Sequence, residues 1–300
     1  PHFYLEANGD RALACVDRAP ADAQLRDVVG SAPELERGSV PQRAEVVGVI
    51  EVERQFEEGA HAGRRVTEGA EERQSAPGRA PGTGAAATGK ALRLLRLAKS
   101  VGADAALAVT PFYSRPTQEG MLAHFHALAD DGGLPVILYN VPGRTGVDLF
   151  PETVAQLAKH PQILAIKEAV VDPQRMLDLL QLKSATFVVL SGDDPTALYA
   201  LAAGADGLIS VVANVQPKHV AELCRAVRHG QMQAAQEIDA MLRPLYAALA
   251  SEPNPIPVKA GLAMLGRLQN ILRLPLLPLS PEYRPELAAA LLGEYETRSS

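Results

Sequence analysis

Tryptophan is absent from this chain of 300 residues, and aromatic residues make up only 4% of it. The net charge is −6 at neutral pH, so the sequence also lacks the excess of basic residues that a nucleic-acid-binding surface requires. No apolar run approaches the roughly 18 residues of a membrane span. We therefore expect neither nucleic acid nor a membrane as a partner, although the 47% of hydrophobic residues is enough for a sizeable core.

Cysteine is scarce as well, since only Cys15 and Cys224 occur. Two distant cysteines cannot form a disulfide framework, which favours a reducing compartment. The first residues, Pro1–Tyr4, show neither the basic nor the apolar region of a signal peptide. These observations predict a cytoplasmic protein.

Lysine is missing from residues 1–89, a segment that contains ten arginines and much Ala, Gly, Glu and Pro. Only Ala44–Val52 is typical of a strand in this segment. Apolar periodicity is otherwise weak there, which is typical of loops or disorder. From Lys90 onward the pattern is regular, so the chain consists of two unlike parts.

Five apolar, strand-like runs follow at intervals of about 20 to 30 residues. The predicted strands are Ala106–Val109, Val136–Tyr139, Ile163–Ile166, Phe187–Leu190 and Gly207–Val211. Helical patterns lie between them; the predicted helix starts are Asp172 and Asp194, each followed by proline, and the predicted helix ends are Gly204 and Gly230. Wholly apolar strands that alternate with helices predict parallel βα units.

These units fit either a doubly wound sheet or most of a (β/α)8 barrel. Polar or reactive residues follow several of the strands, and a barrel gathers such strand ends at one face, where its active site lies. The predicted fold class is therefore α/β, with a (β/α)8 TIM barrel over residues 1–229. Three helices without strands predict a C-terminal helical appendage over residues 230–300, and they are Met232–Ala250, Pro257–Leu265 and Pro281–Gly293.

The segment Gly84–Ala91 nearly matches a phosphate-binding loop. The last position of that motif should be Ser or Thr to bind Mg²⁺, and Ala91 carries no hydroxyl. The residues before it, Arg79–Pro81, do not suggest a buried strand. A nucleotide site is therefore not expected.

Lys167 follows directly after the predicted strand Ile163–Ile166. Burial of a lysine disfavours the ammonium, lowers its pKa and leaves a neutral amine that can form a Schiff base, whereas the simpler alternative is a side chain that snorkels into solvent. Tyr139 ends the preceding predicted strand, so its phenol could relay protons to Lys167 or be an ordinary core tyrosine. Arg144, in the following turn, could bind a carboxylate or face solvent.

Several motifs resemble the dihydrodipicolinate synthase / N-acetylneuraminate lyase family over roughly residues 82–295. These motifs are Val109–Tyr113, Tyr139–Gly146, Ile166–Ala169, Leu190–Asp194, Gly204–Gly207 and Glu252–Lys259. The turn that contains Arg144 is most similar to the synthase branch, which condenses pyruvate with L-aspartate 4-semialdehyde. The resemblance implies a (β/α)8 barrel with three C-terminal helices, a homotetramer or homodimer, and no metal or organic cofactor.

The resemblance also implies a role for each candidate residue. Lys167 would form the covalent imine with pyruvate, and Tyr139 would be the proton relay beside it. Tyr113 would join that relay from across a dimer interface. The implied substrate-binding residues are Arg144 for the carboxylate of the aldehyde and, through their backbones, Gly192 and Ile209 for pyruvate.

Two alternative functions remain open at this point. One is another pyruvate-dependent aldolase of the family, which acts on a sugar acid or a hydroxy-oxo acid, and the other is a non-catalytic barrel that binds an oxo acid. Arg144 favours a small acidic aldehyde over a polyol chain. Lysine-inhibited relatives often carry Asn, Glu and Tyr where this chain has Ala86, Lys90 and Phe112, so we expect weak or absent inhibition by L-lysine. Half-inhibition at sub-millimolar lysine would contradict this expectation.

One motif of the family is missing. Its Gly-Thr-Thr-Gly-Glu loop, whose threonine completes the proton relay, occurs nowhere in the chain, and the expected position at residues 50–54 reads Ile-Glu-Val-Glu-Arg. The segment before Gly82 is nevertheless as long as the family's first three strands require. We hypothesise that residues 1–81 are a wrong-frame or otherwise mistaken sequence from a GC-rich gene. Peptide masses that match the printed residues would refute this hypothesis.

Overall fold

The computed structural model describes residues 6–7, 10–11 and 79–296. The predicted strand Ala44–Val52 and the expected position of the threonine loop lie outside the described residues. Near the N-terminus, β1 (Glu6–Ala7) and β2 (Asp10–Arg11) form a short antiparallel pair.

A parallel sheet of five strands positions the candidate site. Its strands are β3 (Ala106–Val109), β4 (Val136–Asn140), β5 (Ile163–Glu168), β6 (Val188–Ser191) and β7 (Gly207–Leu208). They pair in the order β3-β4-β5-β6-β7, which is also their order along the chain. A doubly wound sheet reverses its strand order partway, whereas the strands of a barrel follow the chain. The observed order therefore favours the barrel.

The segment before the first helix adds to this sheet. Gly82 forms a parallel bridge with Leu107, the Leu107 N–H donates to the Pro81 carbonyl at 3.0 Å, and the Thr83 N–H donates to the Leu107 carbonyl at 2.8 Å. Contrary to the expectation from the sequence, residues 79–83 thus lie in a strand position beside β3.

Helices connect the strands as the apolar patterns predicted. They are α1 (Thr88–Ser100), α2 (Gln118–Asp131), α3 (Pro142–Thr145), α4 (Pro151–Leu157), α5 (Pro173–Leu180), α6 (Ala197–Ala202) and α7 (Pro217–Arg228). The Asp172 side chain accepts a hydrogen bond from the Gln174 N–H at 3.0 Å, which confirms the predicted cap of α5. Gly204 and Gly230 follow the ends of α6 and α7 with φ values of 112° and 70°, so both predicted helix ends are confirmed.

The predicted helix start at Asp194 was wrong. Helix α6 begins only at Ala197, and it is Asp193 whose carboxylate accepts from the Thr196 N–H, at 3.1 Å. The Asp194 carboxylate instead accepts from the Val211 and Val212 N–H groups, at 3.0 Å each. Strand β7 ends at Leu208, before the predicted Val211, whose amide bonds to this carboxylate and not to a neighbouring strand.

Three helices complete the described chain: α8 (Met232–Leu249), α9 (Ile256–Met264) and α10 (Arg284–Glu296). They confirm the predicted C-terminal helices, although the last one begins after a 3₁₀ turn at Pro281–Tyr283. Leu242, Leu249 and Leu287 share a buried apolar cluster with Leu201 and Leu223, so the appendage packs against the end of the sheet region. None of the helices in the described ranges is long and apolar enough to cross a membrane.

The sheet has two buried faces. One cluster contains Leu107, Ile137, Tyr139, Ala165 and Leu190, which lie on the face of the sheet that is turned away from the helices. The larger cluster, between sheet and helices, contains the alternate residues Ala108, Leu138, Ile166 and Val189. Because side chains alternate along a strand, consecutive residues at a strand end enter these two different environments.

Candidate active site

Lys167 lies inside the fold. Strand β5 continues through Glu168, one residue past Lys167, and only 3% of the Lys167 surface is exposed. The alternative of a side chain that snorkels into solvent is therefore wrong. A buried ammonium loses its hydration, so the groups around it decide what the amine can do.

Tyr139 is one of these groups. The residue pairs with Lys167 in the register of β4 and β5, and it is 6% exposed. The Lys167 Nζ lies 4.0 Å from the centroid of the Tyr139 ring. The negative face of an aromatic ring attracts a cation and replaces part of its lost hydration. The predicted convergence of the two side chains is thus confirmed.

Gly192 and Ile209 lie on the next two strand ends. The Gly192 N–H donates to the Glu168 carbonyl at 2.7 Å, and a Cβ at Gly192 would lie 2.9 Å from both Cε and Cγ of Lys167. Ile209 is buried, and its N–H donates to the Ser191 carbonyl at 2.9 Å. A small cavity beside the amine is lined by Lys167, Ile209, Ser210, Val211 and Asn214. The glycine therefore leaves room for the lysine side chain.

Arg144 lies on the short helix α3, directly after β4, and its side chain is exposed. Its Nη1 donates to the Asn254 carbonyl at 3.1 Å, in the segment that leads into α9. The guanidinium thus lies at the same end of the sheet as Lys167 and presents its remaining N–H groups to solvent.

Tyr113, unlike Tyr139 and Lys167, is exposed. It is 92% exposed, with a φ of 69°, and its N–H donates to the Thr145 carbonyl at 3.2 Å. A bulky residue rarely adopts this left-handed conformation, which costs about 1–3 kcal/mol and is often found at functional sites. Within one chain, the Tyr113 side chain is thus in solvent, whereas Tyr139 and Lys167 are buried.

A second group of polar side chains, which the sequence motifs did not assign, lies on the other face of the same two strands. Asn140 and Glu168 pair in register and are fully buried, and the Asn140 Nδ2 donates to the Glu168 carboxylate at 3.0 Å and to Asp148 Oδ1 at 2.7 Å. Arg175, on α5, binds Asp148 through two hydrogen bonds of 2.9 and 2.7 Å and lies 3.5 Å from the Glu168 carboxylate. We call these four residues the buried network.

The electrostatics of the buried network follow from burial and pairing. Burial raises the pKa of Glu168 to about 7, although hydrogen bonds from Asn140 and the Val170 N–H and the charge of Arg175 act against this rise. Burial also acts against the charged form of Asp148, but the bonds from Arg175 and Asn140 outweigh it and hold the pKa of Asp148 below its ordinary value. The hydrogen bonds to Asp148 raise the pKa of Arg175. The network therefore holds one firmly ionised pair beside one carboxyl that titrates near neutrality.

Comparison with known proteins places this arrangement in a family. The model of the "Dihydrodipicolinate synthetase family" matches residues 74–293. The chain is 53% identical over 204 residues to a 4-hydroxy-tetrahydrodipicolinate synthase of Xanthomonas campestris pv. campestris, which covers 68% of this chain and 67% of that protein. It is 48% identical over 210 residues to the synthase of the same name from Thermodesulfovibrio yellowstonii. This match covers 70% of this chain and 72% of that protein.

Solved structures agree. The dihydrodipicolinate synthase of Thermotoga maritima superposes with a TM-score of 0.70 at 42% identity and covers 72% of this chain and 74% of that one. The chloride-inhibited synthase of Acinetobacter baumannii, crystallised with pyruvate, gives a TM-score of 0.70 at 44% identity, with 73% and 75% covered. This likeness confirms the predicted fold class, a (β/α)8 barrel with a C-terminal helical appendage. The chain therefore belongs to the dihydrodipicolinate synthetase family.

Proposed function

We propose that this chain is a 4-hydroxy-tetrahydrodipicolinate synthase, a lyase that condenses pyruvate with L-aspartate 4-semialdehyde in the diaminopimelate route of lysine biosynthesis. The observation that carries the proposal is the buried amine of Lys167, 4.0 Å from the centroid of the Tyr139 ring, beside a small cavity. Its relatives of that name are up to 53% identical to it.

The first chemical step is imine formation. The neutral amine of Lys167 attacks the ketone carbon of pyruvate; the C–N bond forms, the C–O bond breaks, and the oxygen leaves as water with two protons. Tyr139, whose ring lies against the amine, is the proton relay of this step. Gly192 and Ile209, which directly follow the ends of β6 and β7, line the site of the small oxo acid through their backbones.

The second step forms the carbon–carbon bond. The imine nitrogen draws electrons from the former methyl group, which loses a proton and becomes a nucleophilic enamine carbon. This carbon attacks the aldehyde carbon of the second substrate, whose oxygen takes up a proton. The amino group of that substrate then displaces Lys167 from the imine carbon, closes the ring and frees the lysine amine. No metal or organic cofactor is needed for this sequence.

Arg144 and Tyr113 complete the proposed site. The exposed guanidinium binds the carboxylate of aspartate semialdehyde, for which a planar pair of N–H donors is well suited. The exposed phenol of Tyr113 reaches into the site of a neighbouring subunit, so the active form is a homodimer or homotetramer. We also propose a cytoplasmic location and the division of the chain into a barrel over residues 1–229 and a helical domain over residues 230–300.

Trapping with borohydride tests the proposed function. Borohydride reduces the imine of pyruvate and should add about 72 Da to Lys167. Peptide mapping should place the adduct on Lys167, and Lys167→Arg should form none although it folds. A well-folded wild type without an adduct would overturn the proposal in favour of a non-catalytic barrel.

The aldehyde substrate is tested separately. The enzyme that forms the adduct is assayed with pyruvate and either aspartate semialdehyde or aldehydes of sugar acids. We expect turnover with aspartate semialdehyde, and we expect Arg144→Gln to raise the KM for this aldehyde more than tenfold while the KM for pyruvate changes little. Faster turnover of a sugar aldehyde would favour the other pyruvate-dependent aldolases of the family.

A further inference from the structure

The ends of β4 and β5 carry two cross-strand pairs that face opposite sides of the sheet. Tyr139 and Lys167 face its interior, whereas the following residues, Asn140 and Glu168, face the helices. Asn140 directly follows Tyr139, and Glu168 directly follows Lys167. The pair of Asn140 and Glu168 thus joins the end of β4, where the segment with Arg144 begins, to the end of β5, which carries Lys167.

The same buried network holds the segment that carries Arg144. Residues 141–149, which we call the arginine loop, leave β4 directly after Asn140. The Leu149 N–H donates to Asn140 Oδ1 at 3.0 Å, and Arg175 Nη1 donates to the Leu149 carbonyl at 3.2 Å. Asp148, in the loop, is bonded to both Asn140 and Arg175. The end of the arginine loop is thus fixed to β4 and α5 by side chains.

Glu168 connects the strand that carries Lys167 to the residues that hold the arginine loop. Its carboxylate accepts from the Asn140 Nδ2 at 3.0 and 3.2 Å and from the Val170 N–H at 2.8 Å, and it lies 3.5 Å from Arg175 Nη1. All of these partners are donors. A carboxylate suits them all, whereas an amide in its place would turn an NH₂ group toward another donor.

We propose that Glu168 is a positioning residue that holds the arginine loop in register with Lys167, so that the carboxylate of the second substrate and the pyruvate imine are aligned. The role in alignment rests on the proposed function, whereas the holding of the loop does not. Positioning of this kind matters because a misplacement of about 1 Å can lower a rate about a hundredfold.

Hydrogen exchange of the full chain tests the holding of the loop. At pH 8, where Glu168 is ionised, the backbone amides of residues 141–149 should exchange about tenfold faster in Glu168→Gln than in the wild type, since one charge-assisted acceptor is lost. Asp178→Asn is the matched control, because Asp178 lies on α5 as Arg175 does but accepts only an exposed bond from Gln174. If Glu168→Gln does not fold, Asp148→Asn tests the same link from the loop side. Unchanged exchange in the folded variant would overturn the proposal.

Substrate binding tests the consequence for alignment. Succinate semialdehyde, which has the aldehyde and the carboxylate but no amino group to close the ring, is titrated against the borohydride-reduced pyruvate adduct. We expect its Kd to rise about tenfold in Glu168→Gln, whereas the rate of adduct formation stays within about twofold. A general structural defect would weaken the binding of succinate semialdehyde and slow adduct formation to a similar extent. That result would overturn the proposal. If the wild type forms no adduct, the proposed function fails, whereas the exchange measurement still decides whether Glu168 holds the loop.

Discussion

At the scale of single residues, the alternation of side chains along β5 places two neighbouring charged groups in different surroundings. Lys167 faces an aromatic ring and a small cavity, and Glu168 faces hydrogen-bond donors between sheet and helices. A single peptide unit thus separates the proposed covalent chemistry from the network that supports it. Substitutions at this point should separate effects on chemistry from effects on stability.

Gly192→Ala should impair imine formation more than folding. The added Cβ would lie 2.9 Å from Cε and Cγ of Lys167, so the atoms that must move belong to the reactive side chain itself. We expect adduct formation with pyruvate to slow by about ten- to a hundredfold, as measured by the rate of borohydride trapping. Because a flexible side chain can move at little cost, the free energy of unfolding should fall by less than about 2 kcal/mol.

Gly89→Ala is the control for this substitution. A Cβ at Gly89 would meet nothing within 4 Å, and the residue lies in the first turn of α1. Alanine should leave trapping unchanged and could stabilise the helix by roughly 0.5–1 kcal/mol. Wild-type trapping rates in Gly192→Ala would show that the lysine side chain does not need the space that the glycine leaves.

Glu168 should also make stability depend on pH. Its pKa is about 7 in the folded protein and near its ordinary value of 4.5 when unfolded, so the folded state binds the extra proton between these two values. The free energy of unfolding therefore falls as pH rises from about 4.5 to about 7, by at most about 3 kcal/mol. In Glu168→Gln this dependence should be missing, which urea unfolding at pH 5 and pH 7.5 would measure.

The comparison with the variant is essential because His124 acts with the opposite sign. Burial lowers the pKa of His124 to about 4, so the unfolded chain binds the extra proton between about pH 4 and 6.5, and stability rises with pH over that range. The wild-type curve alone would contain both effects, whereas the difference between wild type and Glu168→Gln isolates Glu168. An identical pH dependence in the two proteins would contradict the raised pKa.

The convergence of Lys167 and Tyr139 was predictable from the sequence because both lie at the ends of apolar strands that are neighbours along the chain, which is a local signal. The sequence did not identify Asp148 and Arg175 as parts of one network, since their pairing spans 27 residues and depends on where α5 lies relative to the segment before α4. A signal was nevertheless present: Glu168 directly follows Lys167, so one of two adjacent charges had to face the helices and required a partner there.

At the scale of elements, the cap of α5 determines where Arg175 lies. Asp172→Ala removes the acceptor for the Gln174 N–H and should lower the free energy of unfolding by about 1 kcal/mol. Because Arg175 lies in the first turns of the capped helix, the hydrogen exchange of residues 141–149 should also increase. Asp172→Asn retains a capping oxygen and should restore most of the stability in urea unfolding. Equal losses in both variants would show that the hydrogen bond is not the cause.

Asp172 and Asp194 show when a local sequence pattern predicts a helix start correctly and when it does not. Both precede proline, and only Asp172 caps a helix. The Oδ1 atom of Asp194 is buried, and its Oδ2 accepts from the amides of Val211 and Val212, which are 17 and 18 residues away. A local capping pattern cannot reveal such a tertiary competitor. Strand order was predictable because wholly apolar strands in regular alternation with helices leave few arrangements.

At the scale of the whole molecule, Tyr113 links the proposed chemistry to assembly. Its side chain is 92% exposed and its backbone adopts a left-handed conformation, a costly arrangement for a tyrosine that serves only its own chain. If the phenol completes the relay of a neighbouring subunit, Tyr113→Phe and Lys167→Ala each inactivate a different component of one composite site. Mixed assemblies of the two variants would then contain sites with both components intact.

Co-expression of Tyr113→Phe and Lys167→Ala chains with different tags tests this prediction. In a random mixture, roughly a quarter of all sites should combine an intact Lys167 with an intact Tyr113 from the neighbour, so the mixed assemblies should regain up to about a quarter of wild-type turnover. Each variant alone should remain far below this value. Sedimentation checks that both variants and the mixture have the mass of the wild-type assembly. Turnover of the mixture that equals the mean of the two separate variants would place Tyr113 outside the neighbour's site.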